Sequence, residues 1–147
     1  MPDNRLINAM LENKTAVVST LRLHAKFGSE FLPFAIENIK KFHQTGIPVV
    51  AGSDTPVGWT YPGLDTLYEI ELLVTVGLSP MEAIQVATGN AARYLELDNE
   101  LGTVREGKLA DLLIVRGNPL EKISLLRSPG YVIKSGQIIR GLNGSIQ

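Results

Sequence analysis

Cysteine is missing from this sequence of 147 residues, so the chain has no disulfide framework and no thiolate nucleophile. Charge of one sign is not in excess either: 14 Lys and Arg stand against 15 Asp and Glu. A net charge of −1 gives no general attraction to nucleic acid or to an anionic membrane. No apolar run approaches the roughly 20 residues that span a bilayer, and no apolar segment follows a basic cluster at the start. These absences favour a cytoplasmic protein.

An apolar run, Ile47–Gly52, is the most informative stretch that the sequence does contain. It has almost no polar alternation, which is typical of a parallel strand covered by helices on both faces. Asp54 follows directly and therefore lies at the C-terminal edge of this strand. In parallel α/β folds that edge carries the ligand site, because its loops vary while the strands hold them. Gly52 and Ser53 add little bulk beside it.

Strands and helices alternate through the first two thirds of the chain, which predicts a parallel α/β arrangement. After Leu97 the pattern changes to short strands joined by turns that contain Gly and Pro. A hydrophobic content of 44% is enough for a core of ordinary size. We expect an α/β segment over residues 1–97 and a β segment over residues 98–147. The predicted elements are the strands Thr15–Leu21 and Ile47–Gly52, the helices Gly28–Thr45 and Leu64–Val76, and the later strands Leu101–Val104, Ala110–Val115, Tyr131–Lys134 and Gln137–Arg140.

Three short motifs predict where elements begin and end. Gly46 is expected to terminate the helix before it as a C-terminal cap. Ser79, with Glu82 three residues later, predicts the start of a helix at a capping box. Ser135-Gly136 is a candidate two-residue hairpin turn.

Several ordered blocks resemble the closing portion of the amidohydrolase superfamily, in its imidazolonepropionase-like and Xaa-Pro dipeptidase-like branch. The blocks are Gly52–Thr55, Gly77–Ala83, Ala87–Ala92 and Leu101–Leu112. This resemblance implies an α/β fold that is the C-terminal part of a (β/α)₈ TIM barrel, namely its last two strand-helix units. The C-terminal strands of a small β-sandwich would follow. A whole barrel of this type takes about 250 residues, so the resemblance implies a C-terminal fragment.

The resemblance also implies a metal-dependent hydrolase that acts on C–N bonds of the amide or peptide type. The full-length enzyme would use a divalent metal, zinc above all, and a small-molecule or peptide-like substrate. The family's His and Lys metal ligands lie on barrel strands that this chain lacks, so we expect no bound metal and no activity in the isolated chain. An alternative is a non-catalytic assembly unit, which would form a homo-oligomer or a complex with the N-terminal part. A flavodoxin-like module is disfavoured, because no Gly-rich loop links a strand to a helix.

Asp54 is the position that matches the family's catalytic residue, and the resemblance implies that it lies beside the metal. There it would accept the proton of the bound water and pass it to the leaving group. From the local sequence alone, Asp54 is predicted to cap the turn that follows. His24, Trp59 and Tyr61 follow the two strands on the same side and are candidates for substrate contact, although an exposed His and aromatic packing over the barrel rim are alternatives.

Three further acidic residues are predicted to be structural. Glu69 and Glu71 fall between apolar residues of the helix Leu64–Val76 and are expected on its solvent face. Asp111 precedes a short strand and is expected to accept a hydrogen bond in a turn. His43 lies in the last turn of its helix, where a cation is favourable next to the negative end of the helix dipole.

Overall fold

A mixed α/β arrangement is present in the structure, a computed structural model that describes residues 2–141. The end of the predicted β segment, residues 142–147, lies outside the described residues. Within the described part, none of the helices is both long and apolar enough to cross a membrane. The elements are α1 Asn4–Glu12, β1 Val17–Ser19, α2 Leu21–Lys26, α3 Leu32–Gln44, β2 Val49–Ala51, α4 Leu64–Val76, α5 Pro80–Ala87, α6 Gly89–Tyr94, β3 Leu112–Val115, β4 Pro129–Lys134 and β5 Gln137–Arg140, with 3₁₀ turns at Val57–Trp59 and Ile123–Arg127.

The strands β1 and β2 pair in parallel, as the strand-helix-strand order predicts. Val17 lies opposite Val49, and Ser19 lies opposite Ala51. Both strands are shorter than predicted, because each has a single partner among residues 2–141 and Leu21 already begins α2. The helix α3, which connects the two strands, ends before Gly46. Gly46 has φ +82°, the left-handed conformation expected of a glycine that terminates a helix.

The core is centred on α4, which packs against α2, α5 and the 3₁₀ turn Ile123–Arg127. Leu73 on α4 is completely buried, and Leu21 and Val49 reach the same cluster from α2 and β2. The helix α5 begins at a capping box, as the sequence predicts: Ser79 Oγ accepts from the Glu82 amide at 3.3 Å. The helices therefore bury β2, whereas Val18 on β1 stays exposed; α2 follows the C-terminal end of β1 and a loop follows that of β2.

Two further predicted elements differ from the structure, and a glycine with positive φ explains each of these differences. The helix predicted from Gly28 begins only at Leu32, because Gly28 has φ +59° and interrupts the helical path after α2. The helix α2 itself was not expected. The strand predicted at Leu101–Val104 is a series of bends, in which Gly102 has φ +84° and Leu101 donates to the Leu97 carbonyl at 2.8 Å.

The β segment forms a three-stranded antiparallel sheet in the order β3-β4-β5. The predicted two-residue turn between β4 and β5 is confirmed, since Ser135 and Gly136 have φ +49° and +80°. Asp111 accepts from the Ser135 amide at 2.7 Å and also pairs with Lys134. The turn role expected of Asp111 is therefore correct, and this carboxylate stabilises the hairpin.

Candidate functional site

The C-terminal ends of β1 and β2 form the edge at which the candidate site lies. The Gly52 amide donates to the Ser19 carbonyl at 3.0 Å, just beyond the last paired residues. A side chain at position 52 would collide with β1, since its Cβ would lie 2.5 Å from Val18 Cγ1. Glycine thus allows the two chains to stay close here, and the segments 20–26 and 52–61 leave the sheet side by side.

Asp54 lies just beyond β2 and is exposed to solvent. Its φ of +52° is in the left-handed region, which Asp tolerates better than most residues. Its backbone carbonyl accepts from the Val57 amide at 2.9 Å, and the hydroxyls of Ser53 and Thr55 bond to each other at 2.8 Å. Over residues 2–141 we find no hydrogen bond to the Asp54 carboxylate. The main chain therefore closes this turn, and the carboxylate is accessible to a ligand.

Trp59 and Tyr61 lie in the loop after β2, and their side chains are 80% and 58% exposed. Between β2 and Trp59, Gly58 has φ +58° and packs against the Phe27 ring. A Cβ at Gly58 would lie 2.1 Å from Phe27 Cζ, so this contact requires glycine. The loop is thus anchored to the segment that follows α2, while its two aromatic side chains remain at the surface.

Asp65, in the first turn of α4, joins this loop to α2. The residue is 1% exposed, and its carboxylate accepts from Arg22 Nε at 2.6 Å and from the Tyr61 amide at 2.5 Å. Lys26 Nζ lies 3.4 Å from the same carboxylate, donates to the Trp59 carbonyl, and stands 4.7 Å from the Tyr61 ring centroid. Two cations of α2 therefore share one buried carboxylate with the backbone of the loop.

Glu69, one helical turn further along α4, is completely buried. Its carboxylate accepts from the Leu21 amide at 3.0 Å and from the Arg22 amide at 2.6 Å. These are the first N–H groups of α2, and Thr20 at the N-cap makes no side-chain bond to them. Glu69 thus satisfies donors that the start of a helix leaves unpaired.

Burial and hydrogen bonding oppose each other at these two carboxyl groups. At Glu69 burial is the largest effect and raises the pKa, although the Ser19 side chain and the amides at the start of α2 act against it. Burial also raises the pKa of Asp65, but the bonds from Arg22, Tyr61 and Lys26 together outweigh it and leave that pKa lowered. The charge of Asp65 is therefore stabilised by its partners, as is typical of a carboxylate beside cations.

His24 lies on α2, on the side of the strand ends, and is half-buried. Its Nδ1 is 3.3 Å from Ser29 Oγ. In the part of the chain that the structure describes, His24 and Asp54 share neither a hydrogen bond nor an ion pair. The structure thus ties Trp59 and Tyr61 to α2 through Lys26, and it leaves the predicted residues His24 and Asp54 without a direct link.

Comparison with known protein families gives a match over almost the whole chain. The amidohydrolase family model covers residues 2–139. The chain belongs to the amidohydrolase family. The resemblance carried by Gly52–Thr55 and the later blocks is therefore confirmed.

Individual amidohydrolases agree with this assignment. A solved Xaa-Pro dipeptidase with bound methionine is 30% identical, with a TM-score of 0.84, over 95% of this chain and 38% of its own. The adenine deaminase of Desulforamulus reducens is 35% identical over 72 residues, 49% of this chain and 11% of its own. The ochratoxinase of Aspergillus niger is 34% identical over 103 residues, 67% of this chain and 20% of its own. The chain thus spans well under half of each of these relatives.

The metal that amidohydrolases generally use is not accommodated by the described residues alone. Among residues 2–141, no three His, Asp or Glu side chains are grouped so that they could hold a metal ion. His43 lies 3.5 Å from Glu82, at the start of α5. A catalytic zinc usually has three protein ligands, whereas Asp54 is exposed at this edge and the carboxylates of Asp65 and Glu69 are buried and bonded to α2 and the loop.

Asp65 and Glu69 are the site-shaping residues that the sequence interpretation missed, and its placement of Glu69 and Glu71 on the solvent face is wrong. Glu69 is buried, and Glu71 is half-buried with its Oε1 2.5 Å from Arg127 Nε. The sequence feature that could have identified Asp65 and Glu69 is their spacing of four residues, which places both on the same helical face as the core residue Leu73. A carboxylate on an apolar helical face indicates a specific buried partner.

A cavity of about 670 Å³ lies elsewhere, between α6 and β3. Its walls are mostly aliphatic and include Ile84, Leu95, Leu101 and Leu113. None of the four sequence-predicted site residues lines it. We therefore place the candidate site at the strand ends, where the polar side chains lie, and not in this mostly aliphatic cavity.

Proposed function

We propose that this amidohydrolase chain forms the Asp54 side of the active site in a hydrolase that cleaves C–N bonds. The observation that carries the proposal is the Asp54 carboxylate, exposed and free of hydrogen bonds from residues 2–141 at the end of a parallel strand. Such strand ends are where parallel α/β enzymes place catalytic groups. The alternative of a turn cap has less support, since the main chain closes the turn.

Asp54 would act as a general base and then as a general acid. Its carboxylate accepts a proton from the attacking water, the water oxygen bonds to the substrate carbon, and the C–N bond breaks. The same proton then passes to the leaving nitrogen, so the carboxylate is regenerated. An exposed carboxylate without fixed partners suits both steps, because no hydrogen bond has to break before the proton transfer.

Substrate contact is proposed for His24, Trp59 and Tyr61. The two aromatic side chains are exposed beside the strand ends and offer apolar area with little loss of conformational entropy. The relatives are named a dipeptidase, an ochratoxinase and an adenine deaminase. These names indicate a small substrate in each case but different substrates and reactions. We therefore propose a small-molecule or peptide-like substrate.

We further propose that binding of the divalent metal, which we expect to be zinc, requires ligands in addition to the residues that the structure describes. Asp54 would contribute one carboxylate, and the remaining ligands would come from the N-terminal part of a complete amidohydrolase. On this view the 147-residue chain is a C-terminal fragment that is inactive alone.

A hydrolysis assay with two protein samples tests the proposal. The first sample is the 147-residue chain, and the second is a chimera in which residues 2–141 replace the corresponding segment of the solved Xaa-Pro dipeptidase. We expect zinc-dependent hydrolysis of an Xaa-Pro dipeptide by the chimera and none by the chain alone. A chimera that folds, binds zinc and remains inactive contradicts the proposed role of Asp54, and zinc-dependent hydrolysis by the chain alone contradicts the proposed dependence on further ligands.

A second candidate function is assembly without catalysis, and exposed apolar residues favour it. Val18, the central residue of β1, is 60% exposed, and Phe31 and Phe34 near the start of α3 are 61% and 65% exposed. In the described sheet β1 and β2 pair only with each other, so each has an edge that is able to pair with another strand. A second copy or a complementary N-terminal part would cover these groups.

Sedimentation velocity in dilute buffer tests the assembly proposal. We expect a species heavier than the 16.0 kDa monomer, because paired strand edges and covered apolar residues favour association. Val18→Lys should shift the distribution towards monomer, since edge lysines oppose strand pairing, whereas Val104→Lys is a matched control at an 86% exposed position outside the strands. A single monomeric species at all concentrations overturns this candidate.

A further inference from the structure

Both segments that leave the parallel strands end on the same face of α4. The segment 20–26 after β1 contacts Glu69 and Asp65, and the loop after β2 contacts Asp65. The two carboxylates are 0% and 1% exposed. Burying a carboxylate is costly unless hydrogen bonds compensate for the lost hydration. The burial of these two carboxylates therefore depends on their hydrogen bonds to the two segments.

Glu69 defines where α2 begins. It is the group that bonds the first two amides of α2, and it comes from a helix 48 and 47 residues away in sequence. His24 lies within that short helix, so its position follows from the position of the helix start. Glu69 therefore controls the orientation of the segment that presents His24.

Asp65 defines where the loop after β2 lies relative to α2. Its carboxylate holds the Tyr61 amide on one side and Arg22 on the other, while Lys26 adds a bond to the Trp59 carbonyl. The Arg22 guanidinium also stacks 4.3 Å from the Tyr68 ring centroid, which keeps this cation in place. Removal of the Asp65 charge would free the Tyr61 end of the loop and would leave Lys26 without its ion-pair partner, while Gly58 stays packed on Phe27.

We propose that Asp65 and Glu69 are positioning residues, which hold the segments bearing His24, Trp59 and Tyr61 in a fixed arrangement on α4, at the strand ends that Asp54 follows. Their importance for hydrolysis rests on the proposed function, but the positioning itself does not. Each carboxylate has its own segment: Glu69 acts on the start of α2, and Asp65 acts on the loop at Tyr61. If the two carboxylates contributed only to overall stability, the removal of either one would affect both segments alike.

Amide hydrogen exchange by NMR on the 147-residue chain tests the division. Glutamine keeps one acceptor oxygen where the carboxylate has two, so we expect Glu69→Gln to speed exchange about tenfold at Leu21 or at Arg22, since one lost hydrogen bond to a buried group is worth roughly that factor. Exchange at Tyr61 should stay unchanged. Asp65→Asn should give the converse, faster exchange at Tyr61 and no change at Leu21.

Trp59 supplies a second readout, since it is the one tryptophan of the sequence. Its fluorescence anisotropy should fall in Asp65→Asn and also in Lys26→Met, a milder change at a partly exposed residue. Glu37→Gln is the matched control, the same substitution at an exposed residue of α3. The control should alter neither the exchange at Leu21, Arg22 and Tyr61 nor the anisotropy of Trp59.

Three results would overturn the positioning role. They are a uniform increase of exchange over all amides, exchange that stays the same at both Leu21 and Arg22 in Glu69→Gln or at Tyr61 in Asp65→Asn, and an anisotropy that stays constant in Lys26→Met. Hydrolysis is measured separately in the chimera. An inactive chimera with the expected exchange pattern would reject the proposed function and support the positioning role.

Discussion

Asp54→Asn is expected to lower kcat for C–N hydrolysis about 10²- to 10⁴-fold in the chimera with the solved dipeptidase, the usual contribution of a positioned general base. Asparagine keeps the size of the side chain but cannot accept the proton of the attacking water. Stability should be unaffected, within about 0.5 kcal/mol, as for other exposed positions. The carboxylate is exposed, and no hydrogen bond from residues 2–141 depends on it.

The matched control for this prediction is Asp98→Asn, the same substitution at an exposed residue of the segment after α6. It should leave kcat and the thermal midpoint unchanged. Steady-state kinetics and thermal unfolding of both variants give the comparison. If Asp54→Asn lowers the thermal midpoint strongly and keeps its activity, Asp54 is a structural cap of the turn and the catalytic proposal fails.

Asp65→Ala is expected to lower the free energy of unfolding by about 3 kcal/mol, the lower end of the range for one lost partner of a buried ion pair. The lower end applies because Arg22 and Lys26 are 25% and 22% exposed and regain some hydration. The variant leaves both cations and the Tyr61 amide without their common acceptor. For a domain of this size the thermal midpoint should fall by roughly 6–12 °C.

The pH dependence of this effect has a definite sign. The pKa of Asp65 is lowered in the folded chain, so its contribution to stability is present above the unfolded value of about 3.9 and is lost as pH falls through the lower folded value. The difference in unfolding free energy between the unsubstituted chain and Asp65→Ala should therefore be constant from about pH 5 to about pH 7. It should become smaller at lower pH. Denaturant unfolding at several pH values measures it.

Asp98→Ala serves as the control for Asp65→Ala, since it removes a carboxylate that is exposed. We expect no loss of stability from the control at any pH. A loss below about 1 kcal/mol in Asp65→Ala, the range of an exposed ion pair, would show that Asp65 is not the common acceptor of this network. A difference that grows in acid would contradict the lowered pKa.

Much of the local structure was predictable, because it depends on residues close together in the chain. The capping box at Ser79, the glycine that ends α3 at position 46 and the Ser135-Gly136 turn each follow from side-chain chemistry over four residues or fewer. The parallel pairing of β1 and β2 followed from the order of strands and helices. The family resemblance, confirmed over residues 2–139, came from short blocks read in sequence.

The sequence by itself thus determined the α/β order, the family and the position of Asp54 after a buried strand. Only the tertiary structure decided that Glu69 points inward and that Arg22 and Lys26 meet Asp65. The physical reason is distance along the chain: the donors to Glu69 are 48 and 47 residues away, and the Arg22 partner of Asp65 is 43 residues away. Helical spacing shows which residues share a face, whereas the partner that makes a buried carboxylate tolerable is set by packing.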